Sequence, residues 1–164
     1  MEPNPLYSQI ELGAGKQPQE YPNQYSETGV SGETIPFGKA VGEGSGGKTR
    51  LALKSLAIPF KGVANFSTDA KDPDNNSYLD GDPMGITKTG FIQVKVEEAV
   101  TPLSTVRIRV EDHASDVTKT HGNFCTTAEA GKTAKLKGAE FKSTLTSAGV
   151  ATLFLPDSVE YIAD

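Results

Sequence analysis

A strict alternation of apolar and polar side chains is the feature that most constrains the fold of this chain. It occurs in residues 91–97 and again in residues 105–111. Successive side chains of a β-strand point to opposite faces of the sheet, so a period of two gives each strand one apolar face. The residues predicted to face the core are Ile92, Val94, Val96, Val106, Ile108 and Val110.

Other short apolar segments, separated by glycine and proline, extend this pattern along the chain. They are residues 35–41, 50–53, 56–66, 136–141 and 150–155. Short strands at this spacing, with turn residues between them, are typical of β-sandwiches and small barrels. At 164 residues, the chain has the length of about one domain. The sequence therefore predicts an all-β fold, a small β-barrel or a jelly-roll-like β-sandwich.

The first 33 residues differ in composition from the rest. They contain four prolines, and five glutamates against one lysine, which gives a net charge of −4. Such a segment buries too little apolar surface to order by itself. Two interpretations follow, a disordered tail or an arm that orders against a partner, and the tyrosines favour the arm. We predict an extended arm over residues 1–33 and a barrel or sandwich domain over residues 34–164; the candidate contact residues of the arm are Tyr7, Ile10, Leu12, Tyr21 and Tyr25.

Composition lowers the expectation for several classes of protein. Cys125 is the single cysteine, so no intrachain disulfide is expected, which favours a reducing cytoplasm. The sequence has no apolar run of the roughly 20 residues that cross a bilayer and no secretory signal at its start. A net charge of −5 argues against general nucleic-acid binding. We therefore expect neither a membrane nor a nucleic acid among the partners.

Residues 42–49, with the sequence GEGSGGKT, match the phosphate-binding pattern G-x-x-x-x-G-K-[ST]. In a nucleotide-binding loop of this type, a buried parallel strand precedes the glycines and a helix follows them. Here the apolar segment that follows is short for a helix and ends at Pro59. A glycine-rich hairpin is the favoured interpretation, and nucleotide binding is considered unlikely.

Five aspartates crowd residues 69–82, an oxygen-rich composition that calcium prefers. The stretch that starts at Asp72 begins like an EF-hand loop, but Ser77 stands where that loop needs glycine. Pro83 stands at the twelfth position, where a bidentate glutamate is needed. A solvated turn rich in side-chain caps is therefore the favoured interpretation.

His113, His121 and Cys125 are the remaining residues with metal-binding chemistry, and they lie within thirteen positions. A structural zinc takes four ligands, usually at tighter spacings, and no fourth ligand is evident. Nothing in the surrounding sequence marks a cysteine–histidine nucleophilic pair. We therefore predict no catalytic, cofactor-binding or metal-binding residues, no cofactor and no enzymatic activity.

Basic residues cluster near the predicted strands of the second half. Lysines on strand edges usually prevent unwanted pairing, and a solvated edge is the first interpretation. Contact with a complementary acidic surface of a protein partner is the second. The candidate interface residues from this region are Arg107, Arg109, Lys132, Lys135 and Lys137.

Several further segments matter for their order along the chain: TIPFGKAV at 34–41, GVA at 62–64, Tyr78, Gly81-Asp82, Met84, GFIQVKVEEAV at 90–100, GAEF at 138–141 and GVATL at 149–153. Taken in this order, they resemble the small cement or decoration proteins on the heads of tailed bacteriophages. The similar proteins usually carry a glycine after the VEEAV strand, where residues 101–104 here read TPLS. The specificity lies in the order of the segments, which together span roughly residues 34–155.

The resemblance implies an all-β virion protein that binds the outside of an icosahedral shell built from a major capsid protein. It implies bridging of neighbouring capsomers, self-association as a homodimer or homotrimer, and assembly in the host cytoplasm. No catalytic residue is carried over. An independent β-sandwich module for carbohydrate or surface adhesion is the alternative, although the chain has no tryptophan to form an aromatic platform.

Overall fold

The computed structural model describes residues 13–17, 24–46, 49–68, 70 and 76–164, which form thirteen strands and no helix. The described part of the chain therefore holds no helix with the length and apolar character that a bilayer crossing requires. The strands are β1 Tyr25–Ser31, β2 Ile35–Pro36, β3 Ala40–Glu43, β4 Thr49–Ala52, β5 Phe60–Ala64, β6 Ser77–Tyr78, β7 Pro83–Val96, β8 Arg107–Arg109, β9 Phe124–Cys125, β10 Thr133–Lys137, β11 Glu140–Phe141, β12 Gly149–Leu155 and β13 Glu160–Ala163.

Five strands close into a barrel in the order β1-β4-β3-β5-β7. Closure occurs at β1, which pairs parallel to β4 on one side and antiparallel to the first half of β7 on the other. Gly62 lies in β5 with a φ of 152°, where a side chain would meet the Thr87 carbonyl oxygen of β7. The barrel strands contribute to a cluster in which Phe37 packs edge-on against Phe66 and Tyr78.

The second half of β7 leaves the barrel and becomes a central strand of the other sheet. Gly90 lies between the two halves with a φ of 103°. Glycine adopts this backbone angle without the strain that a side chain would cause. Strand β12 pairs antiparallel with residues 90–96, and β9 pairs parallel at Val96. The sheet continues from β9 through β8 and β10 to β13. Its inner face forms the larger apolar cluster of the protein.

The all-β prediction is confirmed, and the barrel is the correct one of the two predicted architectures. The alternation in residues 91–97 and 105–111 also places the expected side chains in the core. Strand lengths differ from the predicted segments, since β7 is much longer and β8 shorter than its segment. Residues 56–66 form a strand only over Phe60–Ala64, because turns occupy the positions before Pro59.

Parts of the predicted N-terminal arm belong to the body of the protein. Tyr25–Ser31 form β1 of the barrel. Residues 13–17 are attached through main-chain hydrogen bonds: the Gly15 amide donates to the Gln93 carbonyl at 2.7 Å, and Gly15 accepts from the Phe66 amide at 2.8 Å. The first strand of the barrel therefore begins before residue 34. Four candidate contact residues of the arm, Tyr7, Ile10, Leu12 and Tyr21, lie outside the described residues.

Candidate interaction surface

Tyr25 is the candidate contact residue of the N-terminal segment that the structure describes. It begins β1, and the residue is 57 % exposed. Its amide donates to Thr89 Oγ1 at 3.2 Å, so the backbone at this position is fixed while the ring faces solvent. Tyr25 is thus available for contact with a partner.

A cleft of about 400 Å³ opens beside the Tyr25 ring. It lies between barrel residues of β5 and β7 and the loop that joins β12 to β13, and its walls include Phe60, Lys61, Lys88, Pro156 and Val159. Both lysines already have carboxylate partners, at 2.7 Å for Lys61 with Glu43 and at 3.2 Å for Lys88 with Glu27. The cleft therefore offers aromatic, aliphatic and compensated charged groups, a mixture that suits a protein segment.

Arg109, a candidate interface residue, is buried in the structure. The side chain is 2 % exposed, and its Nε donates to both carboxylate oxygens of Glu97 at 3.0 and 2.8 Å. A terminal nitrogen donates to Glu129 at 2.6 Å. The hydrogen bond to Glu129 and the pair with Glu97 raise the pKa of Arg109, whereas burial raises the pKa of Glu97 above its ordinary value. Arg109 joins β8 to the end of β7.

Arg107 is held in place by Asp164, the residue that follows β13. Its Nε donates to the two carboxylate oxygens of Asp164 at 3.1 and 3.0 Å, and a terminal nitrogen donates to the Thr126 carbonyl at 2.7 Å. The guanidinium is partly exposed, and its charge is paired with the Asp164 carboxylate. A partner would meet a neutralised pair here, not a free cation.

The lysines of the predicted basic patch are also mostly paired. Lys132 lies 3.8 Å from Glu111, and Lys137 lies 3.2 Å from Glu160. Lys135 occupies the register position between Arg107 of β8 and Ile162 of β13. Among the described residues, no carboxylate lies within ion-pair distance of Lys135. This lysine is therefore the cation of the patch whose charge is least compensated.

A loop over residues 111–122 projects from the end of β8 and is held by a buried lysine. Lys39 donates from Nζ to Thr120 Oγ1 at 2.6 Å and to the His121 carbonyl at 2.8 Å. Burial lowers the pKa of Lys39 to about 8. Within the loop, His121 Nδ1 lies 2.7 Å from Asp112 Oδ1. These contacts fix the loop while leaving Val117 almost fully exposed at its tip.

The glycine-rich motif at residues 42–49 connects two antiparallel strands. Its first two residues end β3, and Thr49 begins β4, with Glu43 in register with Arg50. Gly47 and Lys48 lie outside the described residues. A strand follows the motif where a nucleotide-binding loop requires a helix, so the hairpin interpretation fits the structure.

The candidate metal ligands do not meet in the described part of the chain, which contains no cluster of three or more metal-binding side chains. Asp69, Asp72 and Asp74 lie outside it. Asp82 is buried and accepts from the Leu79 amide at 2.8 Å, which is a turn contact. His113 Nδ1 accepts from the Asp116 amide at 3.1 Å. Burial raises the pKa of the Cys125 thiol to about 12, so this cysteine is a poor ligand and nucleophile.

Sequence reasoning missed two features of this surface. Strand β13 follows Pro156 in a short polar segment, and its residues Glu160–Ala163 carry too little alternation to be recognised. The burial of Lys39 had no signal either, because its hydrogen-bond partners Thr120 and His121 lie more than 80 positions away in the chain. The only sequence signal for these two features is the apolar residues next to Glu160 and next to Lys39.

The sequence and the fold are both similar to those of known phage proteins. Residues 10–155 match the family model described as structural cement protein (E217 gp24/Pam3 gp6). A chain in the structure titled the capsid of Myoviridae phage XM1 has a TM-score of 0.69 at 16 % identity, covering 94 % of this chain and 98 % of that chain. The head fibre gp8.5 N base of bacteriophage phi29 has a TM-score of 0.48 at 12 % identity, covering 84 % and 98 %. No curated protein matches the sequence.

Proposed function

The chain belongs to the structural cement protein family of phages, and on that premise we propose that it binds the outer surface of a phage capsid and bridges neighbouring capsomers. The observation that carries this proposal is the family match across residues 10–155, which includes both the barrel and most of the second sheet. The shared fold with a chain from the capsid of phage XM1 supports it. In this proposal the major capsid protein is the partner, and the protein acts without catalysis.

The proposed capsid contact is centred on Tyr25 and the cleft beside it. The exposed ring offers a large contact area with few rotatable bonds, and the cleft next to it receives a segment of the partner. The arm candidates Tyr7, Ile10, Leu12 and Tyr21 precede this position in the chain. We propose that they extend the same contact, since the attached residues 13–17 fix the point from which the first twelve residues start.

Self-association is the second part of the proposal. Many weak contacts repeated over a closed shell add avidity, so each copy needs only modest affinity for its neighbours. Binding to the folded state also stabilises the cement protein by mass action. We propose a homodimer or homotrimer in the virion, assembled in the host cytoplasm, that resists pressure from packaged DNA.

The test is a decoration assay with particles that lack this protein. Purified protein is added to them, and occupancy is measured by sedimentation and by electron microscopy of the particles. The wild type should saturate the shell, and Tyr25→Ala should reduce occupancy at limiting concentration by about tenfold or more, as expected for a central aromatic contact. Val30→Ala is the matched control, because Val30 is also exposed on β1 but lies at its other end.

A second variant tests the arm. It lacks residues 1–12 and retains residues 13–17; removal of residues 1–33 would delete β1 and with it the closure of the barrel. Weakened attachment of a normally folded protein would support the arm contact. Full occupancy by this variant would show that the arm is a passive tail, and absence of the wild-type protein from particles would refute the proposed function itself.

A further inference from the structure

The outer side of β13 is an open strand edge. Strand β10 pairs with its inner side, and among the described residues no strand pairs with its outer side. Natural proteins usually guard such an edge with proline, lysine or a bulge, because free main-chain groups bind other strands. Glu160–Ala163 contain none of these, and their register with β10 is unbroken, so the short length of the strand and the charge of Glu160 are its only protection. Ile162 and Ala163 are both exposed.

Main-chain hydrogen bonds show which groups lie at this edge. The Asp164 amide donates to the Thr133 carbonyl at 3.1 Å, and the Gly131 amide donates to the Asp164 carbonyl at 3.2 Å, so Asp164 faces β10 and the turn before it. In an antiparallel pair, every second residue turns its N–H and C=O to the same side. Glu160 and Ile162 therefore also face β10. The main-chain groups of Tyr161 and Ala163 face outward.

We propose that β13 of one copy pairs antiparallel with β13 of a second copy, with Tyr161 opposite Tyr161 and Glu160 opposite Ile162. Directly opposite residues of an antiparallel pair lie on the same face of the sheet. A two-fold axis normal to the sheet keeps each side chain on its own face, so an even-numbered residue can be opposite only an even-numbered one, and an odd-numbered residue only an odd-numbered one. The neighbouring register would place Glu160 opposite Asp164, and like charges in that position are destabilising. The proposed register avoids this repulsion.

Charge complementarity across the junction favours a second copy as the occupant. Within each copy, Lys137 is opposite Glu160, and Lys135 is opposite Ile162. On the outer face, the proposed pairing therefore produces a row of Lys137, Glu160, the second copy's Ile162 and the second copy's Lys135. Glu160 then has its own Lys137 on one side and the second copy's Ile162 on the other, and Lys135, which lacks an ion-pair partner among the described residues, follows one strand beyond that Ile162. The two-fold axis repeats this arrangement.

The inner face is also self-complementary. Tyr161 lies in register with Leu136 and packs against the larger apolar cluster. In the pairing, the two copies of Tyr161 become neighbours in one apolar row, and cross-strand aromatic pairs stabilise antiparallel sheets. The edge has only four residues, so we expect a weak dimer in solution that avidity strengthens on a shell.

Cysteine cross-linking tests the register. Glu160 and the second copy's Ile162 would form a non-hydrogen-bonded pair with Cα atoms about 4.5 Å apart, which a disulfide spans, whereas the two copies of Ile162 would lie roughly 8 Å apart, beyond its reach. We expect an equimolar mixture of full-length Glu160→Cys and Ile162→Cys proteins to form disulfide-linked dimers, and Ile162→Cys alone to form none. The native Cys125 is buried and does not interfere.

A second measurement uses charge instead of cysteine. Ile162→Glu would oppose Glu160 of the second copy, and sedimentation at high concentration should then show at least a tenfold weaker dimer. Val150→Glu is the matched control, because Val150 and Ile162 are both 38 % exposed and Val150 lies in β12, away from the edge. Efficient cross-linking of Ile162→Cys alone would overturn the register.

The remaining outcomes separate this inference from the proposed function, on whose self-association part it rests. Absence of a cross-link in the mixture would overturn the pairing. This outcome includes the case in which residues 1–12 cover the edge of their own chain. A wild-type protein that decorates particles but shows no such cross-link would leave the capsid role intact. A cross-linked dimer that never binds particles would support the pairing and refute the capsid role.

Discussion

Arg109 and Glu97 form a buried ion pair that joins the end of β7 to β8. The Arg109 Nε lies 3.0 and 2.8 Å from the two carboxylate oxygens of Glu97, and the side chains are 2 % and 1 % exposed. Transfer of two charges from water into the protein costs several kcal/mol each, and their attraction offsets that cost only when the geometry is good. The pair therefore stabilises the sheet only while both partners are present.

Removal of one partner should be much more costly than removal of both. Arg109→Met leaves Glu97 buried and unpaired, and we expect a loss of about 3–5 kcal/mol in the free energy of unfolding, measured by urea denaturation. The double variant Arg109→Met with Glu97→Met removes the buried charges, so its loss should be clearly smaller. Equal losses in the single and double variants would contradict this account.

Arg107→Met is the matched control for that experiment. Arg107 lies two positions away on the same strand and pairs with Asp164, but both side chains retain some exposure to solvent. Partly solvated ion pairs contribute about 1 kcal/mol or less, so the loss should remain near that value. A loss as large as that of Arg109→Met would show that burial does not set the difference.

The same two arginines show how far the sequence could predict this structure. Alternation in residues 105–111 correctly placed Val106, Ile108 and Val110 in the core. It also predicted that Arg107 and Arg109 share the opposite face, as their register with Lys135 and Thr133 confirms. Alternation alone does not predict whether that face is exposed to solvent, because the loops and strand ends that cover Arg109 come from distant parts of the chain.

Long-range pairing explains the other differences. The sequence predicted strand β12 almost to the residue, since its pattern is local and complete. It did not predict β1, whose residues Tyr25–Ser31 are polar and become ordered only by pairing with β7 and β4. For the candidate interface, the sequence identified a cluster of basic residues. It could not identify which lysines are neutralised, because the carboxylates opposite Lys132 and Lys137 belong to other segments.

Cys125 should be unreactive in the folded protein. Its side chain is buried, and burial raises the pKa of the thiol to about 12, so very little thiolate exists at pH 8. We expect a thiol-specific chromogenic reagent to react at least about a thousandfold more slowly with the native protein than with the protein in denaturant. Ile162→Cys provides an exposed thiol as control, and prompt native reaction of the wild type would contradict the burial of Cys125.

Gly15 should be essential for attachment of residues 13–17. It has a φ of 79°, and a side chain there would lie 2.7 Å from the Phe66 amide nitrogen. Gly15→Ala should release the segment and expose the Lys16–Gln17 bond, so trypsin should cut there about tenfold faster or more, as a strain of 1–3 kcal/mol implies. Gly13→Ala, with nothing within 4 Å of the added carbon, should leave the rate unchanged. Equal rates for the two variants would show that Gly15 is not the constraint.

Lys39 should make stability depend on pH above neutrality. Burial lowers its pKa in the folded protein to about 8, whereas the unfolded chain keeps a value near 10.5. Between these two pKa values the unfolded state binds more protons than the folded state, so the free energy of unfolding rises with pH. The cost of burying the charged Lys39 ammonium is therefore present below pH 8 and is relieved as the pH rises toward 10. The wild type should therefore gain about 1–3 kcal/mol in the free energy of unfolding relative to Lys39→Met between pH 7.5 and pH 10.

Comparison with Lys39→Met isolates this effect, because the other titrating groups, including Tyr161 with its pKa raised to about 12, remain in both proteins. Lys61→Met is the second control, since Lys61 is partly exposed and pairs with Glu43 near the surface. Its difference from the wild type should stay nearly constant over the same range. If the wild type instead loses stability relative to Lys39→Met as the pH rises, the ammonium of Lys39 stabilises the loop over residues 111–122 by more than its burial costs.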